Sequence, residues 1–104
     1  MKISLLLTTV AQKSDARRLA ALALRHRAAA CIQIISGIES HFIWKGKKSA
    51  SREFLVLAKT TTAKSKLLER LWQKNHPYDC PELVTLSAQA TAAYARWVKS
   101  SISR

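Results

Sequence analysis

The stretch from Ala30 to Trp44 constrains the fold most, because its residues alternate with a period of two. Ile32, Ile34, Ile38, Phe42 and Trp44 share one parity, and Cys31, Gln33, Ile35, Glu39 and His41 share the other. This alternation predicts a β-strand, and Gly37 inside it predicts a bulge or bend. A hairpin turn or arm at residues 45–48 and a returning strand from Arg52 to Thr60 follow. The chain is therefore predicted to contain a long, kinked β-hairpin.

The remaining segments predict helices and strands on either side of this hairpin. These elements are a strand over 3–9, a helix from Ser14 as N-cap to about Arg27, a helix from Thr62 to His76-Pro77, a strand over 83–86 and a helix opening at Thr91. The last helix carries a stripe of Tyr94, Trp97, Val98 and Ile102. The order predicts an α+β fold, a ferredoxin-like βαββαβ sandwich with an additional C-terminal helix.

Length and charge limit the classes of protein that need to be considered. The 104 residues predict a single domain over 1–104, and the hydrophobic content of 48% excludes a disordered basic tail. The net charge of +12 raises nucleic acid as a partner. However, the first strand has no aromatic residue and the third has only Phe54, so bases have no stacking platform. We expect weak phosphate attraction and no specific nucleic-acid recognition.

Cysteine usage and hydropathy suggest a compartment. Cys31 and Cys80 are distant in sequence and form neither a zinc spacing nor a disulfide framework, so reduced thiols in the cytoplasm are expected. The apolar run near the N-terminus ends at Thr8, too early for a signal-peptide core. No stretch approaches the length of a membrane span, so no membrane partner is expected.

Residues 75–82 carry the richest chemistry in the chain. His76, Tyr78, Asp79 and Cys80 bring imidazole, phenol, carboxylate and thiol into one loop. Histidine and cysteine suit copper or zinc, while an equally open alternative is that His76 and Tyr78 only bind the loop backbone. The run 59–62, which begins with Lys59, either binds an anion or caps a helix. No nucleophile–base arrangement is recognisable, so no enzyme activity is expected.

Five motifs in order resemble those of the CutA divalent-cation tolerance proteins. They are the segment 28–37 (AAACIQIISG, resembling AACVNIIPG), 42–47 (FIWKGK, resembling YxWxGK), 59–61 (KTT), 76–83 (HPYDCPEL, resembling HPYxxPEL) and 94–98 (YARWV, resembling YLxWI). The resemblance covers nearly the whole chain. It implies a ferredoxin-like homotrimer linked to tolerance of copper and other divalent cations, with no established reaction. An alternative is a signalling trimer resembling the PII proteins, with an anionic small ligand between subunits.

The resemblance also implies a ligand cleft between subunits. The cleft would be lined by Lys59, His76, Tyr78 and Glu82, walled by Trp44, with Cys31 as a further cleft residue. His76 would be a metal ligand, Glu82 an oxygen ligand or a partner of the ligands, and Lys59 an anchor for a small anion. The copper pattern that the resemblance implies has a first-strand cysteine and two adjacent histidines. Here Thr8 and Asn75 stand at two of these positions, and His76 retains the third.

Overall fold

The computed structural model describes residues 1–103, which form an α+β fold around one antiparallel sheet. The elements are β1 (Lys2–Val10), α1 (Lys13–Arg25), β2 (Cys31–Trp44), β3 (Lys47–Thr60), a 3₁₀ turn (Thr62–Lys64), α2 (Ser65–Asn75), β4 (Val84–Gln89) and α3 (Ala92–Ile102). The strand order is β2-β3-β1-β4. The predicted ferredoxin-like βαββαβ sandwich with an additional C-terminal helix is confirmed, while the single-domain organisation over 1–104 stays a prediction.

The hairpin between β2 and β3 is tighter than the sequence predicted. Lys45 and Gly46 both have positive φ, 51° and 78°, as in the two-residue turns that match strand twist. Pairing therefore continues up to Trp44 opposite Lys47. The returning strand begins at Lys47, so the predicted start at Arg52 and the four-residue turn were wrong.

The predicted kink in β2 is a β-bulge at Gly37. The register moves from Ile35 opposite Leu55 to Ile38 opposite Glu53, so β2 contains one extra residue. Gly37 has φ +73°, a backbone conformation that side chains disfavour. Because successive residues of a strand point to opposite faces, the extra residue exchanges the two parities of β2 beyond the bulge. We call the part of the hairpin beyond it, residues 38–53, the arm.

One face of the sheet, the inner face, is covered by α1 and α2. The fully buried core consists of Leu6 and Val10 from β1, Val56 and Ala58 from β3, Ala16, Leu19 and Ala23 from α1, Ala28 and Ala29 after α1, and Leu68 and Trp72 from α2. The Trp72 indole N–H donates to the Leu19 carbonyl at 3.0 Å. Burial of these aliphatic side chains stabilises the fold. The indole N–H has its hydrogen-bond acceptor within the protein and needs no water.

The opposite face, the outer face, is apolar and largely uncovered. It consists of Leu5, Leu7, Ile35, Leu55, Leu57, Val84 and Leu86, which the register places opposite one another. Ile35, Val84 and Leu86 are 45%, 43% and 48% exposed. Exposed apolar side chains that lie side by side on a sheet are typical of an interaction surface.

Two helix starts differ from the predictions, because backbone and hydroxyl hydrogen bonds place the capping residues elsewhere. The N-cap of α1 is Gln12, whose carbonyl accepts the Ala16 N–H at 3.2 Å, and Ser14 lies inside the helix. Thr61, not Thr62, caps the 3₁₀ turn, since its hydroxyl accepts the Lys64 N–H at 3.3 Å. Thr91 caps α3 as predicted.

The apolar stripe of α3 was also partly wrong. The buried residues of α3 are Ala95, Val98 and Ile102, whereas Trp97 is 47% exposed. The helix packs through these three side chains, while Tyr94 is half-buried. The Trp97 ring stacks on Tyr94 instead, with centroids 5.6 Å apart.

Candidate functional site

The loop after α2 is fixed to the end of β1 by His76. The Nε2 atom of His76 lies 2.8 Å from the Thr8 hydroxyl and 3.1 Å from the Thr9 carbonyl. Its Nδ1 atom accepts the Tyr78 backbone N–H at 3.1 Å. Because a backbone N–H can only donate, Nδ1 holds a lone pair and the proton lies on Nε2. Both ring nitrogens are therefore occupied by the protein itself.

Burial favours this neutral form of His76. Desolvation lowers the pKa of His76 below its ordinary value of 6.5, although the hydrogen bond to the Thr9 backbone opposes the shift. The imidazole is thus uncharged at neutral pH. His76 therefore binds the loop backbone at Tyr78 and also contacts Thr8 and Thr9 of β1.

Tyr78 connects the same loop to the arm. Its hydroxyl donates to Oε2 of Glu53 at 2.7 Å. Glu53 is only 8% exposed. Burial, together with the hydrogen bond to Glu53 and its charge, raises the pKa of Tyr78 to about 12. The phenol therefore stays protonated and remains a donor to the carboxylate.

A groove of about 880 Å³ lies between the arm and the loop. The side chains that matter for its chemistry are Phe42, Trp44, Glu53, Tyr78, Asp79 and Glu82. It therefore brings together Trp44, Tyr78 and Glu82, three members of the predicted ligand cleft. Its volume lies in the range of small-molecule pockets in proteins.

Lys59 and Cys31 lie elsewhere in the fold. They are opposite each other in the register of β2 and β3, and Glu53 is six residues away along β3, about 20 Å at the usual rise per residue. The Lys59 ammonium donates to Gln33 at 2.7 Å and lies 5.8 Å from the Tyr94 ring centroid. A single chain therefore divides the predicted cleft into two separate regions.

The donor set does not fit a tight copper site within one chain. Among residues 1–103, no group of three or more histidine, cysteine, aspartate or glutamate side chains is positioned to hold a metal ion. Thr8 contacts His76 as the resemblance implies, but Asn75 donates to the Leu71 carbonyl at 2.9 Å. Hydroxyl and amide groups are poor replacements for thiolate and imidazole towards copper.

Two residues of this region were missed from the sequence. Glu53 binds the phenol, and the Thr9 carbonyl accepts from the imidazole. A contact to a main-chain carbonyl cannot be predicted from residue types. Glu53 offers a weak sequence signal, since it is one of only six acidic residues and lies in a strand rather than a loop.

Comparison with known proteins assigns this chain to one protein family. A family profile described as CutA1 divalent ion tolerance protein matches residues 4–101. The chain belongs to this CutA1 family. Membership confirms the resemblance seen in the five motifs, and it supports that interpretation over the PII-like alternative.

Curated relatives agree with this assignment. The divalent-cation tolerance protein CutA of Thermus thermophilus is 38% identical over 97 residues, covering 91% of this chain and 93% of that protein. Protein CutA 1, chloroplastic, of rice is 35% identical over 94 residues, covering 89% of this chain. The chain spans about half the length of the rice relative, 53%. The name of the Thermus relative describes tolerance to divalent cations, and neither name describes a reaction.

Solved structures of the CutA1 family have the same fold. The divalent ion tolerance protein CutA1 from Ehrlichia chaffeensis superposes with a TM-score of 0.93 at 30% identity, over 98% of this chain and 96% of that one. The additional helix α3 is therefore part of a shared architecture and not a local extension.

The expected cytoplasmic location is corrected by the same comparisons. The rice and Arabidopsis relatives are named chloroplastic, and the CutA structure from Archaeoglobus fulgidus is described as periplasmic. Cys31 and Cys80 are free thiols in different parts of the fold. Thiols that are not placed to pair stay free in any compartment, so their number does not define one. None of the helices in the described part of the chain is long and apolar enough to span a membrane.

Proposed function

We propose that this chain acts in divalent-cation tolerance as a non-catalytic homotrimer. The observation that carries the proposal is the uncovered apolar outer face, in a chain that belongs to the CutA1 family. Covering this face with other copies would remove its leucine and isoleucine side chains from water, at about 25 cal/mol per Å². The two edge strands, β2 and β4, are free to pair with strands of neighbouring subunits.

Charge sets a requirement on such an assembly. A trimer would carry three times the +12 of one chain. Repulsion between the subunits must then be offset by apolar burial, which the outer face supplies.

Light scattering tests the trimer. We expect three chain masses for the wild type at micromolar concentration and one for Leu86→Lys, which places a charge in the outer face. The control Gln73→Lys adds the same charge on α2, on the helical side, and should remain trimeric. A monomeric wild type would refute the assembly.

His76 and Glu82 are the proposed donors of any divalent cation that the chain binds. Supporting this, His76 lies beside Thr8 at the position that the family resemblance implies, and the Glu82 carboxylate lies in the exposed part of the same loop. A metal ion would have to replace hydrogen bonds that already occupy the imidazole. Binding should therefore be weak, with a dissociation constant above about 1 µM.

Calorimetric titration with Cu(II), Cu(I) and Zn(II) tests these donors. We expect weak binding by the wild type, its loss in His76→Ala, and its retention in His41→Ala, because His41 is an exposed histidine bound to Glu39 on the arm. Equal binding by the wild type and His76→Ala, or no binding by either, would contradict the assignment.

A small anion at Lys59 is the second proposed ligand. The Lys59 ammonium lies at the end of β3 with Gln33 and Tyr94 as its neighbours, and no acidic partner neutralises it among residues 1–103. Phosphate should raise the melting temperature of the wild type more than that of Lys59→Gln. Lys74→Gln, on the exposed side of α2, is the control.

A further inference from the structure

The exposed side of α1 and α2 carries an excess of positive charge. The two helices contain seven basic and two acidic residues, so their net charge of +5 is close to half of the chain's +12. Both acidic residues already have a partner one turn away, since Asp15 binds Arg18 at 3.1 Å and Glu69 lies 3.7 Å from Lys66. The other five cations of these helices are exposed and have no acidic partner among residues 1–103. They are Lys13, Arg17, Arg25, Arg70 and Lys74.

Helix stability does not explain the spacing of these cations. Lys13 and Arg17 are four residues apart, as are Arg70 and Lys74, so each pair lies on one side of its helix. Like charges at this spacing repel each other and destabilise a helix. Arg25 and Lys74 lie in last turns, where the helix dipole favours a cation, but the other three do not. The arrangement therefore costs the folded chain stability unless an external anion balances the charge.

The five cations belong to one surface, because α1 and α2 are neighbours over the inner face. The Trp72 indole of α2 donates to the Leu19 carbonyl of α1. Packed helices have axes about 8–10 Å apart, and helices of 13 and 11 residues are about 20 and 16 Å long. We call the exposed side of the two helices the basic helical surface. It lies on the opposite side of the sheet from the outer face, so covering the outer face in a trimer leaves it open in every subunit.

The basic helical surface offers charge with little apolar area. Within the described residues, Leu24 is the one large apolar side chain of α1 and α2 that is exposed. A helix that binds an anionic membrane also inserts an apolar side into the lipid, whereas the apolar sides of α1 and α2 are buried in the core. Protein interfaces are commonly anchored by large aromatic side chains, and the one aromatic residue of these two helices, Trp72, is fully buried. Binding to a nucleic-acid duplex without sequence preference requires only that phosphates be neutralised.

We propose that the basic helical surface binds the phosphate backbone of double-stranded DNA without regard to base sequence. Two rows of long side chains, about one helix spacing apart, can reach both strands across the minor groove of B-DNA, which is about 6 Å wide. The minor groove of an RNA duplex is wide and shallow, so the two rows fit it less well. Single strands lack a partner for their bases, because neither helix exposes an aromatic ring. This partner goes beyond the proposed function and gives the expected phosphate attraction a location.

Fluorescence anisotropy with a labelled DNA duplex tests the proposal. A duplex of about 12 base pairs is about 40 Å long and so spans one surface. Five neutralised phosphates predict a slope of about −4.5 for the logarithm of the association constant against that of the salt concentration. Duplexes of unrelated sequence should bind equally. Absence of binding at about 50 mM salt, or an affinity that does not depend on salt, would overturn the proposal.

Two matched double variants locate the binding surface. Arg17→Gln/Arg70→Gln removes one cation from each helix and should make the salt slope shallower by about 2, one for each lost phosphate contact. Arg96→Gln/Lys99→Gln removes the same charge from the exposed side of α3 and should leave the slope nearly unchanged. The helical variant loses repulsion between like charges, so its melting temperature should not fall. Equal changes of slope in the two variants would refute the surface.

Competition distinguishes double-stranded DNA from other anionic partners. An RNA duplex of the same length, polyglutamate and phosphatidylserine vesicles should each displace the labelled DNA less well than unlabelled DNA at equal charge concentration. A competitor that equals or exceeds DNA would contradict the assignment. Neither double variant changes His76 or Lys59, and Lys59 lies on the outer face opposite Leu5. Failure of DNA binding is therefore distinguishable from failure of the proposed cation and anion sites.

Discussion

The inner and outer faces of the sheet are both apolar, but only the inner face is completed by this chain. On the inner face, Leu6 is fully buried under α1 and α2. Its neighbour Leu7 points to the outer face, beside Leu57 and Val84. The inner face therefore holds the fold together, while the outer face is available for another molecule.

Leu6→Ala should have the largest effect on folding. Removing a fully buried leucine from a closed core costs about 2–5 kcal/mol, because the cavity that remains is not filled. Chemical denaturation measures this loss of unfolding free energy. The concentration at which the assembly dissociates should not change. If the variant lost as much free energy of assembly as free energy of unfolding, the inner and outer faces would not have separate roles.

Leu7→Ala makes the same chemical change one residue later, on the outer face. Its effect should appear in assembly, at about 1.5–3 kcal/mol per chain if the side chain becomes fully buried between subunits. Light scattering over a dilution series is the measurement. A Leu7→Ala protein that dissociates at the same concentration as the wild type would show that the outer face is not the interface.

Tyr78→Phe probes the contact between the loop and the arm. The variant deprives Glu53 of its donor and should lower the free energy of unfolding by about 1–2 kcal/mol. Tyr94→Phe, on α3, is the control and should have a smaller effect. If the two variants are equivalent in denaturation, the hydrogen bond to Glu53 contributes nothing specific.

The smallest expected effect is on the pH dependence of the melting temperature. Since burial lowers the pKa of His76 below 6.5 in the folded state, the unfolded chain binds this proton more readily. The stability contributed by neutral His76 is then complete above pH 6.5 and is lost as the pH falls through the lowered folded-state pKa. Melting temperatures from pH 8 to 5 should fall less in His76→Gln than in the wild type or in His41→Gln. Identical slopes would contradict this role.

Much of the fold could be predicted from the sequence, because strand alternation, helix-ending proline and the Gly37 bulge are local signals. The order of the elements then predicted the ferredoxin-like arrangement, and the residue types of 75–82 indicated the loop at His76. The split between Lys59 and Trp44 could not be predicted, because it depends on the hairpin register, which places Trp44 opposite Lys47, twelve residues before Lys59 on β3. The role of Glu53 was missed for a similar reason, since the phenol that binds it comes from a loop 25 residues away.

The bulge at Gly37 also decides which side of the sheet the arm presents to its surroundings. A single inserted residue transfers Phe42 and Trp44 from the parity of Ile32 and Ile34, which pack on the core, to the parity of Ile35 on the outer face. Deleting that residue would restore the uninterrupted alternation and rotate the rings to the opposite side. The presence or absence of one residue therefore decides whether these two rings lie on the inner or the outer face, while β2 keeps β3 as its partner.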